Sequence, residues 1–191
     1  AQSVWDTAVA HLFDRERDLY RILVYDCRPL AHKAHHPVTG KPIDFAKSST
    51  YRWRNDLHHS LVSMRKVALR YGELQDGSRW TIRPEPLRKL LRGSINVNEL
   101  TETDVRYDFR QIGVDIKIGI DIASLAYKRL VEKIVLVTGD SDFVPAAKLA
   151  RREGIDVVLN PLGQAVSASL SEHIDGLENR LRLPKSRGGQ R

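Results

Sequence analysis

The stretch that most constrains the fold is residues 133–163, and within it the turn Thr138-Gly139-Asp140-Ser141-Asp142-Phe143. The preceding run Ile134-Val135-Leu136-Val137 is short, apolar and rich in β-branched residues, the pattern of a strand buried on both faces of a parallel sheet. After the turn, Phe143, Ala147, Leu149 and Ala150 recur at helical spacing. Pro145 suits a first helical turn, Lys148, Arg151 and Arg152 load the end, and Gly154 stops it. A second apolar run, residues 155–159, follows at once. Strand, helix and strand make a βαβ unit, whose ligands gather at the C-terminal strand ends. Asp140 and Asp142 are therefore expected where a ligand would bind.

Two carboxylates on one turn repel each other unless a cation, a donor or a proton intervenes. A hard divalent ion resolves that repulsion, and Mg²⁺ uses one or two carboxylates while keeping several waters. The plainer alternative is that Asp142 or Ser141 caps the helix and Asp140 is solvated.

The chain has 191 residues, enough for one ordinary domain with a real core. One domain over residues 1–183 and a basic, disordered tail over residues 184–191 are expected. No apolar run approaches a membrane span, and Asp6, Asp14 and Arg15 are unlike a signal peptide, so a cytoplasmic location is expected. The single cysteine, Cys27, excludes an internal disulfide and a multi-cysteine zinc site. The formal net charge is +7, of which Lys185, Arg187 and Arg191 supply three. Arginine outnumbers lysine about two to one, which favours bidentate phosphate contacts and stacking on bases.

In chain order, residues 1–17 predict an amphipathic helix with Val4, Trp5, Ala8, Leu12 and Phe13 in one stripe. Residues 21–26 predict a buried strand that ends in Asp26, a second carboxylate at a strand end. Residues 30–49 lose periodicity and predict a loop carrying His32, His35 and His36. No fourth metal ligand is evident there, so the expectation is a mobile, partly basic loop that folds over a substrate. Residues 51–71 predict a helix on which Arg52, Arg54 and Arg65 could grip phosphates beside Tyr51, Trp53, His58 and His59. Residues 73–86 predict a β-hairpin turning at Asp76-Gly77. A short edge strand near Tyr107, a helix over residues 118–130 and a final amphipathic helix through Val166, Leu170, Ile174 and Leu177 complete the reading. Asp121 sits in the first turns of its helix, where a carboxylate suits the helix dipole.

Gly113-Val114-Asp115, Asp121-Ile122, the segment 135–143 and the segment 147–158 together resemble the NYN domain family, the LabA-like branch of the PIN-like nuclease superfamily. The Tyr25-Asp26 strand and Pro37-Val38-Thr39-Gly40-Lys41 extend the likeness to the family's bacterial branch. The resemblance implies a Rossmann-like parallel sheet flanked by helices, with an acidic pocket that binds Mg²⁺ or Mn²⁺ and cleaves RNA. Asp121, Asp140 and Asp142 match the pocket acids, with Asp115 in a supporting position. Thr138 and Ser141 could hold the turn or a metal-bound water. The family's first strand, ending in aspartate, would precede Ala1, and Ile112 stands where relatives often carry a lysine. Single-stranded or loop RNA is the expected substrate, because its bases are reachable by Arg and aromatic side chains. A catalytically weak RNA- or protein-binding regulatory module is the alternative, and a phosphatase of the Asp-x-Asp type ranks third. The reading allows a homo-oligomer and involves no membrane.

Overall fold

A computed structural model describes residues 18–178. The amphipathic stretch expected over residues 1–17 and the basic tail lie outside the described residues. The described residues divide into two compact units, one of residues 18–24, 61–70 and 115–178, the other of residues 25–60 and 71–114. The elements are mixed α/β, as expected, and among the described residues no helix is long and apolar enough to cross a membrane.

The first unit holds the βαβ segment. Strands β6 (Lys133–Leu136) and β7 (Asp156–Leu159) pair in parallel, Ile134 opposite Val157 and Leu136 opposite Leu159. Strand β8 (Gly176–Leu177) adds in parallel to β7. Helix α3 (Val114–Tyr127) precedes β6, and helix α4 (Val144–Arg152) joins β6 to β7. Ile122, Ala126, Ile134, Leu136, Phe143, Ala147, Ala150, Val157 and Leu159 form one buried cluster. This sheet is the parallel part of the expected fold. The final amphipathic helix is not formed. Only α5 (Ala168–Ser171) is helical, capped by Ser167 Oγ, and the chain then extends so that Asp175 N–H reaches Val157 O. Leu170 and Ile174 still pack on the core, so the apolar spacing was read correctly as burial and wrongly as continuous helix.

The remaining strands depart from an all-parallel sheet. Strand β4 (Val67–Ile82) lies between β1 (Ile22–Cys27) and β5 (Val105–Ile112), and β4 and β5 are antiparallel. Helix α1 (Ser49–Val62) starts where Ser48 Oγ accepts the Tyr51 N–H. It stops well short of Tyr71, because the backbone turns at Lys66 with a positive φ of 64° and enters β4. Val67, Leu69 and Tyr71 then alternate as a strand requires, a period masked by Met64 and Ala68 at helical spacing. The predicted hairpin at Asp76-Gly77 is not formed either. The strand continues through that point with a register shift between Asp76 and Arg79, so the Gly marks a bulge and not a turn. Helix α2 (Pro84–Leu91) follows, with prolines in its first turn.

The histidine stretch is ordered where a loop was expected. Strands β2 (Lys33–His35) and β3 (Pro42–Asp44) form an antiparallel hairpin. His36 is buried, its Nδ1 accepting the Val38 and Thr39 N–H groups while Nε2 donates to Glu102 O at 3.2 Å. Its ring meets Trp80 edge-on at 4.7 Å, and Trp80, Tyr107, Phe45 and His32 continue the contact. These histidines are parts of a small aromatic core.

Gly72 of β4 is buried against Cys27, Ile112 and Val114. A Cβ there would lie 2.7 Å from Ile112 O and 2.6 Å from Val114 Cγ2, so backbone must move. Gly72→Ala is expected to lower stability by about 1–3 kcal/mol, read as a fall in the urea midpoint at unchanged slope.

Candidate functional site: the acidic turn and its surroundings

The turn after β6 is built from its own side chains. Thr138 Oγ1 accepts the Asp140 N–H at 3.1 Å, and Asp140 Oδ1 accepts the Asp142 N–H at 3.0 Å, capping a 3₁₀ turn over Ser141–Phe143. Phe143 is buried in the core and pins the turn from below, while Asp140, Ser141 and Asp142 are exposed. The cap is made by Asp140, whereas the sequence suggested Asp142 or Ser141.

The loop after β7 closes on this turn. Asn160 N–H donates to Leu136 O at 2.7 Å, and its buried side-chain Oδ1 accepts the Leu162 N–H at 3.0 Å. Leu162 and Gly163 both carry positive φ, which turns the chain toward Gly139. A Cβ on Gly139 would meet Gln164 Oε1 at 3.1 Å and Ala165 O at 3.4 Å. Gly139 therefore lets two backbones approach at the strand ends.

Asp121 lies on α3 in the same unit, and Arg70 Nε donates to its Oδ2 at 3.0 Å. The guanidinium offsets part of the negative charge near this helix. Asp115 is exposed in the first turn of α3. Among the described residues, no three His, Cys, Asp or Glu side chains stand close enough to hold a metal ion. Asp140 and Asp142 share one turn and offer hard carboxylate oxygens, a donor pair of the type Mg²⁺ or Mn²⁺ accepts with water completing its shell.

In the second unit, Asp26 ends β1 in a dense charge cluster. Its Oδ1 accepts the Cys27 N–H at 2.8 Å and lies 3.2 Å from Arg54 Nη2, and its Oδ2 accepts from His58 Nε2 at 2.9 Å. His58 is buried and meets Tyr71 edge-on, while the Arg28 guanidinium sits 4.3 Å from the Tyr71 ring centroid. Arg54, expected to face phosphate, is thus engaged by Asp26. Arg52 and Arg65 are exposed. Trp53 beside Arg52 is 62% exposed, unusual for so large an apolar ring. Sequence reasoning set His58 on the RNA-facing side of the helix, whereas it is buried against Asp26, and it left Arg70 out of the site; their partners lie 32 and 51 residues away and no local pattern announces such pairs.

The geometry defines a mixed α/β protein with a carboxylate-bearing turn at the C-terminal end of a parallel strand. The model of the NYN domain matches residues 48–175, about two thirds of the chain and a span that includes Asp115, Asp121, Asp140 and Asp142, and the chain belongs to this family. No curated protein and no solved structure gives a match.

Asp26→Ala would leave His58 and Arg54 facing a vacated, largely buried position. A loss of about 1–3 kcal/mol is expected in chemical denaturation, and His58→Ala should lose less, since Arg54 still pairs with the acid.

Proposed function

We propose that this NYN domain is a PIN-like, LabA-like ribonuclease that hydrolyses phosphodiester bonds of single-stranded or loop RNA with Mg²⁺ or Mn²⁺. The observation that carries the reading is the exposed Asp140-Ser141-Asp142 turn, pinned by Phe143 at the end of β6, in a chain of this family. Asp140 and Asp142 would hold the cation, with Thr138 and Ser141 as hydroxyl donors around it, while Asp121 and Asp115 on α3 stand outside that ligand set among the described residues. When bound, a divalent cation supplies charge neutralisation for the phosphate and acidifies a water. The chain's own part is to keep the acids on a rigid turn. Thr138 fixes the Asp140 backbone, and Asp140 in turn orients the Asp142 backbone.

Substrate contact is assigned to the solvent-exposed positions of α1, which include Arg52, Trp53 and His59. An aromatic ring on the same helix as a guanidinium suits an unstacked base and its phosphate. Arg65 is a further phosphate contact, and Arg54 supports the surface through Asp26.

A second reading is a catalytically weak NYN-like module that binds RNA or a protein for regulation. The Arg70–Asp121 ion pair favours it, because a guanidinium occupies one of the acids.

Cleavage of labelled single-stranded RNA is expected with Mg²⁺ or Mn²⁺, none with EDTA, and none with Asp140→Asn/Asp142→Asn. A folded, metal-loaded protein that binds RNA without cutting it would establish the second reading. Trp53→Ala is expected to weaken binding of single-stranded RNA by about 10-fold, a loss of about 1.4 kcal/mol, with little effect on duplex RNA. Unchanged affinity would remove α1 from the interface.

A further inference from the structure

Helix α3 is apolar on two sides. Ile122 and Ala126 are buried in the core of its unit, with Ile118 and Leu125 packed beside them. On the other side Ile116, Ile120 and Tyr127 are 68%, 62% and 63% exposed. They recur at intervals of four and seven residues, with the small Ala123 between Ile120 and Tyr127, so they form one continuous stripe. A helix with apolar residues all round is normally covered all round.

Gly119 borders that stripe, and a Cβ built on it would meet nothing within 4 Å. Glycine weakens a helix interior, and among the described residues no neighbour requires its small size. Close approach of another helix would. The stripe also matches itself when reversed: in an antiparallel pair, Ile116 falls opposite Tyr127 and Ile120 opposite Ala123. The ends agree with that direction. Asp115 and Lys117 lie at the start of the helix, while Lys128 and Arg129 follow its last turn, so antiparallel packing keeps the two basic C-terminal ends apart, brings each toward Asp115 of the other copy and opposes the helix dipoles. Parallel packing would set like charges together.

We propose that the protein forms a homodimer in which the α3 helices of two copies pack antiparallel through Ile116, Ile120, Ala123 and Tyr127. A self-complementary patch of this kind generates a closed two-fold dimer and not a filament. The inference does not depend on the nuclease reading, since none of the four residues is assigned to the acidic turn.

The test is sedimentation equilibrium of the full chain across the micromolar range, alongside Ile120→Lys. The wild type is expected to sediment as a dimer, and Ile120→Lys, which changes an exposed position and should keep the far-UV spectrum, to weaken association by about tenfold or more. Cross-linking fixes the direction. With Cys27 buried, a short bis-maleimide should join Ile116→Cys in one copy to Tyr127→Cys in another, and should not join Ile116→Cys to itself. A wild type that stays monomeric, a dimer indifferent to Ile120→Lys, or self-linking of Ile116→Cys would each overturn the proposal.

Discussion

Parallel pairing of β6 with β7 is the constraint on which the acidic turn depends. Each backbone leaves the sheet at the same end, so the turn after β6 and the loop after β7 emerge side by side. Asn160 ties the second exit to Leu136, and Gly139 leaves room for the Gln164 side chain and the Ala165 backbone to pass close to the first. Phe143, buried in the same core, prevents the turn from lifting away. The Asp140 carboxylate is thereby held in place by the backbone N–H of Asp142, on a turn whose backbone Thr138 also fixes.

Charge management differs between the two compact units. Around the turn the acids are exposed, and one oxygen of Asp140 is spent on its own backbone. Asp26 is instead surrounded by a backbone N–H, a buried imidazole and a guanidinium, an arrangement that suits rigidity better than exchange with a ligand. Two aspartates at the ends of two strands, equivalent by sequence position, are made unlike by the groups around them. Arg54 shows the same point from the cationic side, since Asp26 decides that it is a strut.

The acidic turn, its following helix and the second strand were legible in the sequence because each is local: β-branched burial, a proline in the first turn, cations at the end, glycine after it. The length of α1, the fate of Asp76-Gly77 and the histidine hairpin were not. Ala68 keeps a helical spacing from Met64 yet lies in β4, and a glycine that usually signals a turn here accompanies a bulge opposite β5. The histidines read as a loop because their order comes from Trp80, Tyr107 and Glu102, which lie far along the chain.

What the sequence by itself determined was the βαβ segment with Asp140 and Asp142 at its turn and the family to which those residues belong, since both rest on spacing within a few dozen residues. What only the tertiary structure decided was which charges are spent on partners, which surfaces stay bare and where strands replace predicted helices or loops. Pairings such as Arg70 with Asp121 and His58 with Asp26 follow from how distant segments are brought together, and no local periodicity encodes that.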